Sequence, residues 1–286
     1  MKFQCYIAKS AVQAGVLISL SLSAFPAHAV RPFVTDDARI IDVGQVEFES
    51  WLETTRTDRQ WDPAPGINII GGTSVNEWLE ILAGSGIGNS RNGGSSVANP
   101  MLQGKVLLRK AEVNGQAGHA FSIGKTFNRG HGSMHDDGSV IAAIGMTTFR
   151  LKDDDIQIHL NYGWRQDNER GFSKRTRPYW GIGTDIQTPI EDIRFVAEVF
   201  AGDPLVLNAP RHAVQTGFRW MKSDYVQMDI TLGAEPRIDR PIGRFGASGG
   251  YDFTAQLGLR MLFDVYTPSG RAGRFDGADG LFRSHE

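Results

Sequence analysis

From Gly44 onward the chain alternates apolar and polar residues in stretches of roughly ten, and this period of two restricts it to β-strands. Ile156, Ile158, Leu160, Tyr162 and Trp164 fall on one side of such a stretch, and Gln157, His159, Asn161, Gly163 and Arg165 on the other. Val226, Met228, Ile230, Leu232 and Ala234 against Gln227, Asp229, Thr231, Gly233 and Glu235 repeat the pattern. A strand with aliphatics on one flank and charges on the other separates an oily region from a wet one. Long loops and short turns alternate between the strands, which fits an up-and-down barrel crossing a bilayer.

Alternation and turn residues place strands near 44–56, 64–72, 76–86, 99–110, 115–126, 138–150, 153–166, 175–188, 190–201, 211–222, 224–235 and 251–263. The expected fold is therefore all-β: a closed antiparallel up-and-down transmembrane β-barrel of about 12 strands over residues 44–263. Short turns are expected at Thr73 to Val75, Ala111 to Asn114, Lys152-Asp153, Pro189 and Ser223. The long loops are expected at 57–63, 87–98, 127–137, 167–174, 202–210 and 236–250. Strands two, five and six alternate poorly. Strands of ~11 residues tilted by ~40° give a wall of about 27 Å, close to the ~25 Å apolar band of such barrels.

Residues 1–29 read as an export signal: Lys2 and Lys9, an apolar run from Ala11 to Phe25, and the small-x-small site Ala27-His28-Ala29. The expected location is the bacterial outer membrane, with cleavage after Ala29. Residues 30–43 are expected to form a periplasmic segment, and 264–286 a flexible tail. Cys5, the only cysteine, lies in the signal, so the rest of the chain offers no disulfide and no thiolate. Removing the signal takes the charge from 30 basic against 32 acidic residues to 28 against 32, a net −4. That balance excludes a nucleic-acid binder, which needs a basic stripe. Outer-membrane lipid and small-molecule solutes remain as partners, and no cofactor is called for.

Two segments resemble known patterns. Gln256 to Phe263, with Gln256, Gly258, Met261 and Phe263 at the key spacings, resembles the terminal-strand signal read by the outer-membrane assembly machinery. Arg31-Pro32-Phe33-Val34-Thr35-Asp36-Asp37-Ala38, followed by Gly44-Gln45-Val46-Glu47-Phe48-Glu49, resembles the start of an outer-membrane family named for the MetA pathway of phenol degradation. Gly104-Lys105 is similar to a position there. The resemblance implies a transporter-like barrel linked to aromatic compounds, through uptake rather than an enzymatic step.

Alternation turns Glu47, Glu49, Glu53, Lys105, Arg109, His159, Arg165, Asp185, Arg194, Glu198, Arg219, Asp229 and Arg260 inward. The turn at Pro189 sets Asp185 across from Arg194, and the turn at Ser223 sets Arg219 diagonal to Asp229, forming a ladder of opposite charges. Glu47, Glu49 and Glu53 find no partner in this scheme. The groups serve either as a selectivity lining or as paired charges that fill a narrow bore. The loop Arg129 to Asp137 gathers Ser133, His131, His135, Asp136 and Asp137. It admits a phospholipase-type hydrolase using His131 and Ser133, a divalent-cation site, or a plain solvated turn. Asp153-Asp154-Asp155 reads as a solvated face. The functional expectation is a channel or transporter for small molecules, with aromatic or other hydrophobic compounds the class that the resemblance implies; the alternatives are that hydrolase or a non-conducting structural barrel.

Overall fold

The computed structural model describes residues 33–57, 60–62, 66–90, 93–207, 209, 212–236 and 250–265. The expected export signal lies outside the described residues, as do most of loop 236–250 and nearly all of the tail 264–286.

Among the described residues the strands are β1 (Gln45–Thr57), β2 (Gln60–Asp62), β3 (Gly66–Asn76), β4 (Leu79–Asn89), β5 (Ser95–Val97), β6 (Met101–Arg109), β7 (Gly118–Thr126), β8 (Gly138–Leu151), β9 (Ile156–Glu169), β10 (Arg175–Gln187), β11 (Ile193–Phe200), β12 (Ala213–Ser223), β13 (Val226–Pro236) and β14 (Tyr251–Asp264). All but the three-residue β2 and β5 build the wall, each pairing antiparallel with the next, and β14 returns to β1 to close the ring. That seam runs in register from Gln45↔Asp264 to Arg56↔Phe253. Closure is energetically required, because each unpaired backbone amide facing lipid costs several kcal/mol. The twelve-strand closed barrel expected from the alternation is thus present.

Alternation sets the two faces. On β13, Gln227, Asp229 and Thr231 are buried in the bore, while Met228, Ile230 and Leu232 face outward. The outer surface keeps Tyr162, Ile230, Leu232 and Leu257 at 50–60% exposure. Soluble monomers rarely leave so continuous an apolar surface open to water. Trp164 and Trp180 stand outward toward the long-loop end and Trp220 toward the turn end, all exposed. At the two rims Lys125 Nζ lies 5.1 Å from the Phe127 ring and Lys222 Nζ 5.3 Å from that of Trp220. These lysines lay their stems on the aromatic belt and lift the ammonium toward water.

Some boundaries move. The turn expected at Thr73 to Val75 sits at Glu77-Trp78, where the Asn76 side chain accepts the Trp78 amide proton at 3.0 Å. The connection 110–117 is longer than the tip 170–174, so loop lengths alternate less strictly than expected. Lys152, Asp153 and Asp154 all have positive φ. Asp154 is buried rather than solvated, held by Arg150 at 2.8 Å and Gln157 at 3.0 Å.

Candidate functional site

The bore is filled from both ends. From the turn end, residues 33–42 run up inside the wall as a strap. They belong to the segment 30–43 expected in the periplasm, and four of their backbone amides are matched to side chains of the wall. Val34 and Thr35 donate to the two carboxylate oxygens of Glu198 at 2.9 and 2.6 Å. Asp36 donates to Asn161 Oδ1 at 2.8 Å, and Asn161 Nδ2 donates back to the Asp36 carbonyl at 2.7 Å. Ala38 donates to Thr148 Oγ1 at 2.8 Å. Side chains complete the seat: Lys105 Nζ lies 2.9 Å from Asp36 and 3.8 Å from Asp37, and the Arg219 guanidinium is 5.2 Å from the Phe33 ring centre. Gly181 and Gly183 on β10 make the room, since a Cβ at Gly181 would come within 2.8 Å of Thr35 Oγ1.

From the long-loop end, the β11–β12 connection folds inward. Arg165, fully buried, donates to the carbonyls of Asp203 and Val206 and pairs with Asp167. The Thr126 hydroxyl donates to the Leu205 carbonyl at 2.6 Å. Leu205 then packs with Ala38, Ala120, Ala142, Ile144, Met146, Tyr179 and Ala201, so strap and loop share one small apolar core.

The two sides of the bore differ. Between β9 and β1 the wall is ionic. Asp185 binds Arg194 and, at 2.7 Å, Arg219; Arg219 also binds Asp229 at 2.9 Å. Both expected ion pairs form, with their geometries exchanged. Arg219 and Asp229 are direct register partners, whereas Arg194 faces Gln187 and reaches Asp185 diagonally. Glu47 and Glu49, without a partner in the sequence scheme, meet Arg260 across the closing seam, at 2.8 Å for Glu47 and 3.5 Å for Glu49. Glu53 accepts from Gln256 at 2.6 Å. His159 lies 3.0 Å from Thr148 Oγ1. Arg109 is exposed instead of inward, because the ladder shifts register between Leu107 and Arg109; it bonds Ala117 and Gln116 at the turn end.

On β8 the lining is apolar, with Val140, Ala142, Ile144 and Met146 all turned inward. Glu80 is an inward acid that the sequence reading misses: it is buried and faces Lys105 across the β4–β6 ladder. Leu79, Ile81, Leu82 and Ala83 around it hide the alternation.

The loop groups are not brought together as a nucleophile and base. His131 Nε2 lies 3.1 Å from Ser95 Oγ, Ser133 turns to the Asn89 carbonyl, and His135 Nδ1 lies 2.9 Å from Asn99 Oδ1. Among the described residues no group of three or more His, Cys, Asp or Glu is placed to hold a metal ion.

Among the described residues strap and loop border an outer chamber of about 2050 Å³ open toward the long loops and an inner cavity of about 160 Å³ toward the turns. Fold and bore together define an occluded membrane-type β-barrel. The chain belongs to the family described as "Uncharacterised conserved protein UCP029691", whose model matches residues 17–240. None of the curated proteins matches it. Among solved structures it is similar to the COG4313 outer membrane channel from Pseudomonas putida F1, at 11% identity and TM-score 0.50, over 82% of this chain and 100% of that one. It is also similar to the KdgM porin in complex with disordered oligogalacturonate, at 8% identity and TM-score 0.47, over 77% and 99% of the two chains. The CymD monoaromatic hydrocarbon channel matches at 8% identity and TM-score 0.40, over 78% and 89%.

Proposed function

We propose that this barrel sits in the bacterial outer membrane and passes small, uncharged aromatic or other hydrophobic molecules, with no covalent chemistry. The carrying observation is the inward apolar stripe Val140, Ala142, Ile144 and Met146 on β8, opposite the ionic side of the bore and covered by Ala38 of the strap and Leu205 of the inward loop. An apolar solute that takes the place of Ala38 or Leu205 on this stripe gains by leaving water, while the paired charges opposite keep that side of the bore polar. The resemblance of the Thr35-Asp36-Asp37 segment to the phenol-degradation family supports an aromatic cargo. In this reading the leader ends at Ala29, and the assembly machinery recognises β14 through Gln256 to Phe263.

The test is uptake of a radiolabelled small aromatic compound at limiting concentration by cells lacking their general channels. Expression of the protein is expected to speed uptake, and Ile144→Gln to slow it, with no effect on a trisaccharide. Equal uptake with and without the protein would reject the reading. That result would favour a non-conducting structural barrel, which the filled bore supports.

A further inference from the structure

The outer chamber and the inner cavity are lined in common by Val34 of the strap, Ile70 of β3, Met101 of β6 and Leu205 of the inward loop. All four are apolar. The walls on either side also carry charge: Glu53, Asp167 and Arg177 line the chamber, and Glu47, Lys105 and Arg260 the cavity. We propose that these four side chains form a collar that bars hydrated ions and admits small apolar solutes, with Leu205 as its movable member. The inference rests on the reading of the barrel as a channel and adds where, and against what, it selects.

The construction separates what is fixed from what moves. The backbone at Leu205 is pinned, its carbonyl to Thr126 at 2.6 Å and its amide to Asp203 Oδ1 at 2.8 Å. Arg165 holds the carbonyls of Asp203 and Val206 on either side. The isobutyl group sits in the apolar cluster, with Met101 packed against the same group. It rests in a notch at Gly124, where an added Cβ would come within 2.8 Å of Leu205 Cδ2. With the backbone held, a rotamer change at Leu205 is the step that opens the collar, with no displacement of the loop.

Selectivity follows from what each species would exchange. A hydrated ion entering the collar must shed water where no donor or acceptor replaces it, and an apolar constriction of this kind dewets. An apolar solute replaces Leu205 contacts with its own at little net cost. The charges nearest the collar are neutralised by partners: Lys105 by Asp36, Arg260 by Glu47, and Asp167 by Arg165 and Arg177.

The test uses the full chain in planar bilayers with potassium chloride, comparing wild type with Leu205→Ser and Met101→Ser. The two substitutions lie on different elements, and heat-modifiable migration selects folded protein. Both are expected to raise ion conductance by about tenfold by wetting the collar. Wild type that already conducts as well as folded Leu205→Ser and Met101→Ser overturns the collar. So do variants as silent as wild type when aromatic uptake is intact, because the ion barrier then lies elsewhere. If neither ions nor aromatic solute pass through any form, the channel reading itself fails and takes the collar with it.

Discussion

Lys105 of the wall and Asp36 of the strap meet at 2.9 Å inside the barrel, and Lys105 at the same time faces Glu80 across the β4–β6 ladder. The ammonium is ion-paired to the strap through Asp36 and Asp37 with Glu80 as its register neighbour on the wall, and the two halves of the pair are not equivalent. Asp36→Asn leaves Lys105 beside Glu80 and Asp37, whereas Lys105→Met leaves three carboxylates crowded together. Lys105→Met is expected to cost about 3–5 kcal/mol, and Asp36→Asn clearly less. Unfolding in detergent, followed by the loss of compact gel migration, measures both. Equal losses would remove Glu80 from the account.

Gly181 is the notch that admits Thr35, so Gly181→Val should expel the strap while sparing the wall. In an Ala38→Cys background, maleimide labelling at position 38 is expected to rise about tenfold or more, since local opening sets the rate. Ala38 is fully buried in the native protein. An unchanged labelling rate in a folded Gly181→Val barrel would mean that the strap tolerates the clash.

Asp185 holds two arginines and Asp229 holds one together with Gln227. Asp185→Asn is therefore expected to destabilise more than Asp229→Asn, approaching about 3–5 kcal/mol. A double-mutant cycle with Arg194→Met should return a coupling of about 0.5–3 kcal/mol, as for residues in one network. Additive losses would show that Asp185 and Arg194 act independently.

Arg165→Met removes the donors that hold Asp203 and Val206. Amide exchange over residues 201–207 is expected to quicken by tenfold or more, with the strands of the wall unaffected. Equal protection would assign the loop's anchorage to Thr126 and the apolar core alone.

Strand number, strand order and the ionic side of the bore are legible in the sequence because β9, β13 and β14 carry clean alternation. The strands that read poorly include β7 and β8, and β8 shows why. Its inward residues Val140, Ala142, Ile144 and Met146 are as apolar as its outward ones, so a period of two has nothing to distinguish. The seam pairing of Glu47 and Glu49 with Arg260 joins the first strand to the last, beyond the reach of any local turn. The strap escaped for a related reason. Its hydrogen bonds run to Glu198, Asn161 and Thr148, more than a hundred positions away, and no pattern within 33–42 announces a partner inside the barrel. Leu205 likewise reads as one more residue of a long loop until Gly124 appears beneath it.

The strap continues directly into β1, the strand that receives β14 when the ring closes. The peptide that fills the bore is thus tethered to the very edge at which the ring is sealed. The cork and the seam share one strand, and whatever enters the barrel must deal with a stopper of the protein's own making.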